Sequence, residues 1–175
     1  YKNRNYKINN MAQPANILNQ NISIKRLQEM RNFGGEILTH GLKEEILKKF
    51  ISHDQNLRSA IESAYEHFVV LQKEKPEFLL LSEKEQIKLA QQNIVNFYAN
   101  ENVNPYVAIS AMGPWIVTLK GAVIYDCGGY GMLGLGHSPK LALNEIKKPH
   151  VMANVMTPSL SQMEFIDILK KEIGH

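Results

Sequence analysis

A chain of 175 residues is long enough for one domain with a real core, and its 44% hydrophobic, 21% charged composition is that of a globular protein, which argues against disorder or collagen-like repeats. Lys plus Arg exceed Asp plus Glu by only 20 to 17, too small an excess to call for nucleic acid or an anionic membrane as partner. One cysteine, Cys127, excludes an intrachain disulfide framework; the scattered histidines lack zinc-like spacing, and no apolar run approaches ~18 residues, so the expectation is a soluble cytoplasmic protein without a metal.

Residues 1–22 are rich in Asn, carry Lys2, Arg4 and Lys7, and lack both helical and strand periodicity, which predicts an N-terminal arm. Residues 23–100 form a helical segment with legible stops. A first helix starts near Ser23 with Ile24, Leu27 and Met30 on one face and breaks at Gly34-Gly35. A second carries Leu38, Leu42, Ile46 and Phe50 at four-residue steps, with Gly41 weakening its interior by ~1 kcal/mol. A third begins near Asp54, aligns Leu57, Ile61, Ala64, Phe68 and Leu71, and cannot pass Pro76. A fourth opens on the capping box Ser82-x-x-Glu85 and is expected to bury Ile87, Ala90, Ile94 and Phe97.

After residue 100 the pattern changes. Residues 106–111, 115–119 and 122–126 are short β-prone runs separated by Gly113-Pro114 and Lys120-Gly121, which predicts a three-strand antiparallel meander whose second turn uses Gly121 at positive φ. A glycine-rich bend, Gly128-Gly129-Tyr130-Gly131-Met132-Leu133-Gly134-Leu135-Gly136, leads to His137-Ser138-Pro139. Ser138 reads as a helix cap and Pro139 as the first helical residue of a helix that stops before Pro149. A last helix starts near the capping box Ser159-x-x-Gln162 and carries Phe165, Ile168 and Leu169. The fold class of this stretch is therefore α+β: a helical segment, an antiparallel meander and two further helices.

The run Gly113-Pro114-Trp115-Ile116-Val117-Thr118-Leu119-Lys120-Gly121-Ala122-Val123-Ile124-Tyr125-Asp126 resembles the first hairpin of class III aminotransferases, in which a Gly, an aromatic-aliphatic pair, a polar turn with Gly and a strand ending in Asp recur at this spacing. The following Gly134-Leu135-Gly136-His137-Ser138-Pro139-Lys140 is similar to the family's Leu-Gly-His-x-x-Pro signature with the proline one place early. Next come a helix, a loop with Thr157 and the helix carrying Gln162, in the family's order. Thr118 stands where many relatives have Asp, a substitution a turn tolerates because both side chains cap a bend. The helical segment 23–100 is longer than the family's usual lead and is read as an elaborated scaffold.

The resemblance covers about residues 105–175. It implies part of a fold-type I pyridoxal-phosphate transferase of the α/β class, with residues 101–175 leading into a cofactor-binding large domain outside this chain. It implies amino-group transfer between an amino acid or amine and a 2-oxo acid in a homodimer, with pyridoxal 5'-phosphate held by a Schiff-base lysine, a pyridine-binding Asp and a phosphate-binding helix start. None of the lysines here stands in the expected context, so the chain alone is expected to be inactive, with no catalytic residue in it. The glycine-rich run is also similar to that of glutamate-1-semialdehyde aminomutases, which leaves an aminomutase as the alternative on the same fold; a non-catalytic helical interaction module is the alternative outside it. For substrate contact the resemblance points to Tyr130, whose flanking glycines let the backbone approach a ligand, with Met132 as a soft filler and Tyr106 reaching in from the sheet. Trp115 reads as meander packing, His137 as a turn residue and Cys127 as a small buried hydrophobe.

Overall fold

The computed structural model describes residues 14–93, 106–127, 134–149 and 157–174. Helix α1 (Pro14–Asn32) buries the expected face of Ile24, Leu27 and Met30 and ends before Gly34 and Gly35, both at positive φ. It begins at Pro14, well inside the stretch expected to be an irregular arm. Leu18 and Ile22 on it stay exposed, and Gln20 ties it to the neighbouring helix by donating to the carbonyl of Lys48 at 2.9 Å. Residues 1–13 of the expected arm lie outside the described residues.

The second helix is shorter than its leucine spacing predicts. Helix α2 (Glu44–Ile51) starts after Gly41, which takes φ +67, and the residues before it run beside the third strand, where Leu42 N donates to Val123 O at 2.8 Å. A Cβ on Gly41 would lie 2.5 Å from Val123 O, so close approach of two backbones, not helix, sets this position. The buried face is accordingly Leu47 and Ile51, while Leu38, Ile46 and Phe50 are exposed.

Helix α3 (Gln55–Glu74) is the spine of the unit. Asp54 caps it by accepting from Leu57 N, and Leu57, Ala60, Ile61, Ala64 and Phe68 are buried along one stripe. Pro76 ends its run but serves as the first residue of a further short helix, α4 (Pro76–Leu80). Helix α5 (Glu83–Gln91) opens on the reciprocal Ser82/Glu85 capping box. Ile87 is buried as expected and Ala90 is exposed; Ile94 and Phe97 lie outside the described residues.

Strands β1 (Ala108–Met112), β2 (Trp115–Thr118) and β3 (Val123–Tyr125) form the expected antiparallel meander in the order β1-β2-β3. Ala111 pairs with Ile116 and Ile116 with Ile124, with a register irregularity between Ala108 and Ser110. The β2–β3 turn closes with Gly121 N donating to Thr118 O, and the Thr118 hydroxyl accepts from Ala122 N at 3.0 Å, the capping role the sequence assigns to that side chain. Gly121 takes φ +70, and a Cβ there would stand 2.5 Å from Leu27 O on α1. Helix α3 packs on β1 and β2, so Trp115, Val117 and Val123 share one core with Met30, Leu47, Ile51, Ile61 and Phe68. The result is a mixed α and β unit with helices against a three-strand antiparallel sheet.

The compact unit containing these elements ends at Pro139; a second unit, Lys140–His175, holds α6 (Lys140–Ile146) and α7 (Leu160–Ile173). Ser159 caps α7 by accepting from Gln162 N, and Gly174 ends it in the left-handed conformation. Their leucines and isoleucines are exposed, as is Phe165. Ser138 departs from its expected role: its hydroxyl donates to Ala111 O on β1 at 2.9 Å and its φ is +50, so it fastens the chain to the sheet rather than capping α6.

Candidate functional site

The glycine-rich run leaves and rejoins the sheet at one place. Asp126 N donates to Pro114 O at 2.7 Å, and the β1–β2 turn is bridged to the far end of the run by Gly113 N to His137 O at 2.9 Å and His137 N to Gly113 O at 2.8 Å. The imidazole Nε2 of His137 meets the Asp126 carboxylate at 3.0 Å, with the carboxylate largely buried and the ring half-exposed. Backbone and side chain thus clasp the two ends of the run against the Gly113-Pro114 turn, and the turn role the sequence gives His137 is extended by a carboxylate partner the sequence did not suggest.

Tyr130 and Met132 lie outside the described residues. Tyr106 is half-exposed and stands just ahead of β1, next to Val107, whose carbonyl accepts from Leu119 N. At ~3.3 Å per strand residue, Tyr106 is roughly 20 Å along β1 from Gly113, so the structure sets it at the opposite end of the meander from the clasp. Trp115 is fully buried, as expected of a packing residue: its indole N–H donates to Asp54 at 2.8 Å, and its ring meets Phe50 and Tyr125 edge-on. Cys127, expected to be a buried hydrophobe, is exposed, because β3 ends at Tyr125 and the thiol emerges past the last paired residue.

A second polar cluster escaped the sequence reading. Lys120, read as a hairpin turn residue, is 2% exposed, and its ammonium donates to Gly34 O at 2.5 Å, Leu81 O at 2.7 Å and Leu79 O at 2.9 Å. Burial lowers its pKa below the usual lysine value, and the nearby Glu83 carboxylate opposes that shift. Glu83, also buried, accepts from Leu38 N and Thr39 N, each at 2.7 Å. Lowered lysine pKa values accompany amine chemistry. Here, however, the three N–H donors meet three carbonyls, so Lys120 fastens the hairpin turn to the α1–α2 and α4–α5 junctions. Nothing local in the sequence marks it, since a lysine in a tight turn is ordinarily solvated.

Among the described residues no group of His, Cys, Asp or Glu is arranged to hold a metal ion, and no helix is long and apolar enough to cross a membrane. No family model matches the chain, and no curated protein or solved structure is significantly similar to it.

Proposed function

We propose that this chain is the N-terminal part of a pyridoxal-phosphate-dependent aminotransferase of class III, moving an amino group between an amino acid or amine and a 2-oxo acid. The observation that supports this reading is the meander itself: its three strands, its Lys120-Gly121 turn and the return of the glycine-rich run at His137 occur in the order the family resemblance requires. The described residues do not fit the cofactor. Lys120 is the one buried lysine among them and its ammonium is committed to carbonyls. On this reading the Schiff-base lysine, the pyridine-binding Asp and the phosphate-binding helix start belong to a large domain of a fold-type I transferase beyond these residues, and the working protein is a homodimer.

Two experiments test the reading. Absorbance of an internal aldimine is expected from the complete protein incubated with pyridoxal phosphate and not from residues 1–175 alone. Its absence from the complete protein ends the proposal, and a lysine-borne cofactor on the 175-residue piece contradicts the assignment of the cofactor site.

The second concerns Tyr130, the proposed substrate contact. Tyr130→Phe is expected to leave the melting temperature unchanged and to raise KM several-fold to about a hundredfold, the range that losing a hydroxyl worth ~0.5–1.5 kcal/mol, or up to ~3 at a substrate carboxylate, implies. Tyr130→Ala loses packing as well. Steady-state kinetics unchanged in both variants would remove Tyr130 from the pocket.

A further inference from the structure

A cavity of about 360 Å³ lies between α1, α2 and the connection that joins them. Ile24, Leu27 and Leu47, all buried core side chains, give it an apolar floor. Residues 40–43 form a wall that two long-range bonds hold in place: Leu42 N donates to Val123 O at 2.8 Å, and Arg31 Nη2 donates to His40 O at 2.9 Å. The volume is that of a small-molecule site, and the wall is fixed before anything enters.

Arg31 lines this cavity and is half-buried. Its Nη2 reaches only backbone carbonyls, those of His40 and, at 3.5 Å, Gly121. Among the described residues no carboxylate pairs with Arg31, and its Nε and Nη1 have no acceptor. Lys43, exposed at the rim, is likewise without an ion-pair partner among those residues. The lining carboxylate, Glu44, is already engaged: Lys48 Nζ stands 2.6 Å from one oxygen and Gln28 Nε2 donates to the other at 3.1 Å, and the Lys48 bond holds its pKa below the usual value. With Glu44 balanced by Lys48, Arg31 and Lys43 leave a positive surplus above the apolar floor.

A guanidinium taken partly out of water and given only neutral acceptors favours an anion, and its planar fork fits a carboxylate through two parallel N–H bonds. The floor favours an aliphatic body behind that carboxylate. Glu44 at the rim disfavours a second negative charge, so a phosphate fits less well. We propose that this cavity binds a short-chain aliphatic monocarboxylate, with its carboxylate on Arg31 and Lys43 and its chain on Ile24, Leu27 and Leu47. The site does not rest on the aminotransferase reading.

Titration of the isotope-labelled 175-residue chain with hexanoate, followed by amide NMR, is expected to move the signals of Leu27, Arg31, Gly41 and Leu47 in one saturable transition. Hexylamine, with the same chain and the opposite charge, and inorganic phosphate, with charge and no chain, are each expected to bind about tenfold more weakly or worse. Arg31→Gln keeps a donor for the His40 carbonyl but loses the charge. It is expected to lose about tenfold or more in hexanoate affinity, while 1-hexanol, which needs only the floor, binds variant and wild type alike. Should hexanol binding fall in parallel, the cavity has collapsed, and Lys43→Gln at the exposed rim decides, with an expected loss of about threefold for hexanoate and none for hexanol. Equal affinity for hexanoate and hexylamine, shifts confined to other parts of the chain, or hexanoate affinity unchanged in a folded Arg31→Gln or in the deciding Lys43→Gln would each overturn the proposal.

Discussion

Lys120→Met is expected to lower the stability of the folded chain by about 3–5 kcal/mol, the cost of removing one partner from a buried charged cluster, and its melting temperature by roughly 6–20 °C. Methionine keeps the length and most of the stem but has no donor. The carbonyls of Gly34 and Leu81 then lose a charged hydrogen bond, Leu79 O keeps only the longer bond from Gln86, and the buried Glu83 carboxylate loses its balancing charge. Denaturant unfolding of both proteins checks this, and a difference under about 1 kcal/mol would show that the joint is held by packing alone.

A pH series separates the charge from the packing in the same pair. The folded-state pKa of Lys120 is below its usual 10.5, so between those two values the unfolded chain binds the proton more tightly than the folded one. Stability contributed by this group therefore rises with pH across that window. The methionine of the variant has nothing to titrate, so the margin of wild type over variant is expected to widen as pH approaches the unfolded value and to be level below the folded one.

What could be read in the sequence was what is decided locally. The Ser82/Glu85 and Ser159/Gln162 caps, the α3 stripe ending at Pro76, the meander and the Thr118-to-Ala122 turn depend on residues a few positions apart, and they formed where their spacing predicts. The failures share another cause. Gly41 sits in a helical pattern, yet its conformation is set by Val123, far along the chain, and α1 extends to Pro14 although Leu18 and Ile22 on it stay exposed. Lys120, Glu83 and the Asp126–His137 clasp are likewise long-range: each residue type looked ordinary in its own stretch, and its partner was invisible until the chain folded.

Trp115→Ala is expected to cost about 3–5 kcal/mol, as for other large buried aromatics. The residue is fully buried at the end of β2, opposite Met112 on one side and Tyr125 on the other, with ring centroids 5.1 Å from Phe50 and 5.0 Å from Tyr125. Its N–H also holds Asp54, the residue that caps α3, so the indole couples the start of the longest helix to the strand end beside the Gly113–His137 clasp. Trp115→Phe separates the two contributions: the ring contacts largely survive, while Asp54 Oδ2 loses its donor and Oδ1 keeps the cap on Leu57 N. That variant should lose only about 1.5–3 kcal/mol, the cost of a hydrogen bond to a charged group. Thermal melts followed by circular dichroism measure both variants. Trp115 is also the chain's single tryptophan, so wild-type fluorescence reports this site alone and should shift from a buried to a solvated emission in the same transition. Equal losses in the phenylalanine and alanine variants would assign the whole effect to the Asp54 bond and remove packing from the account.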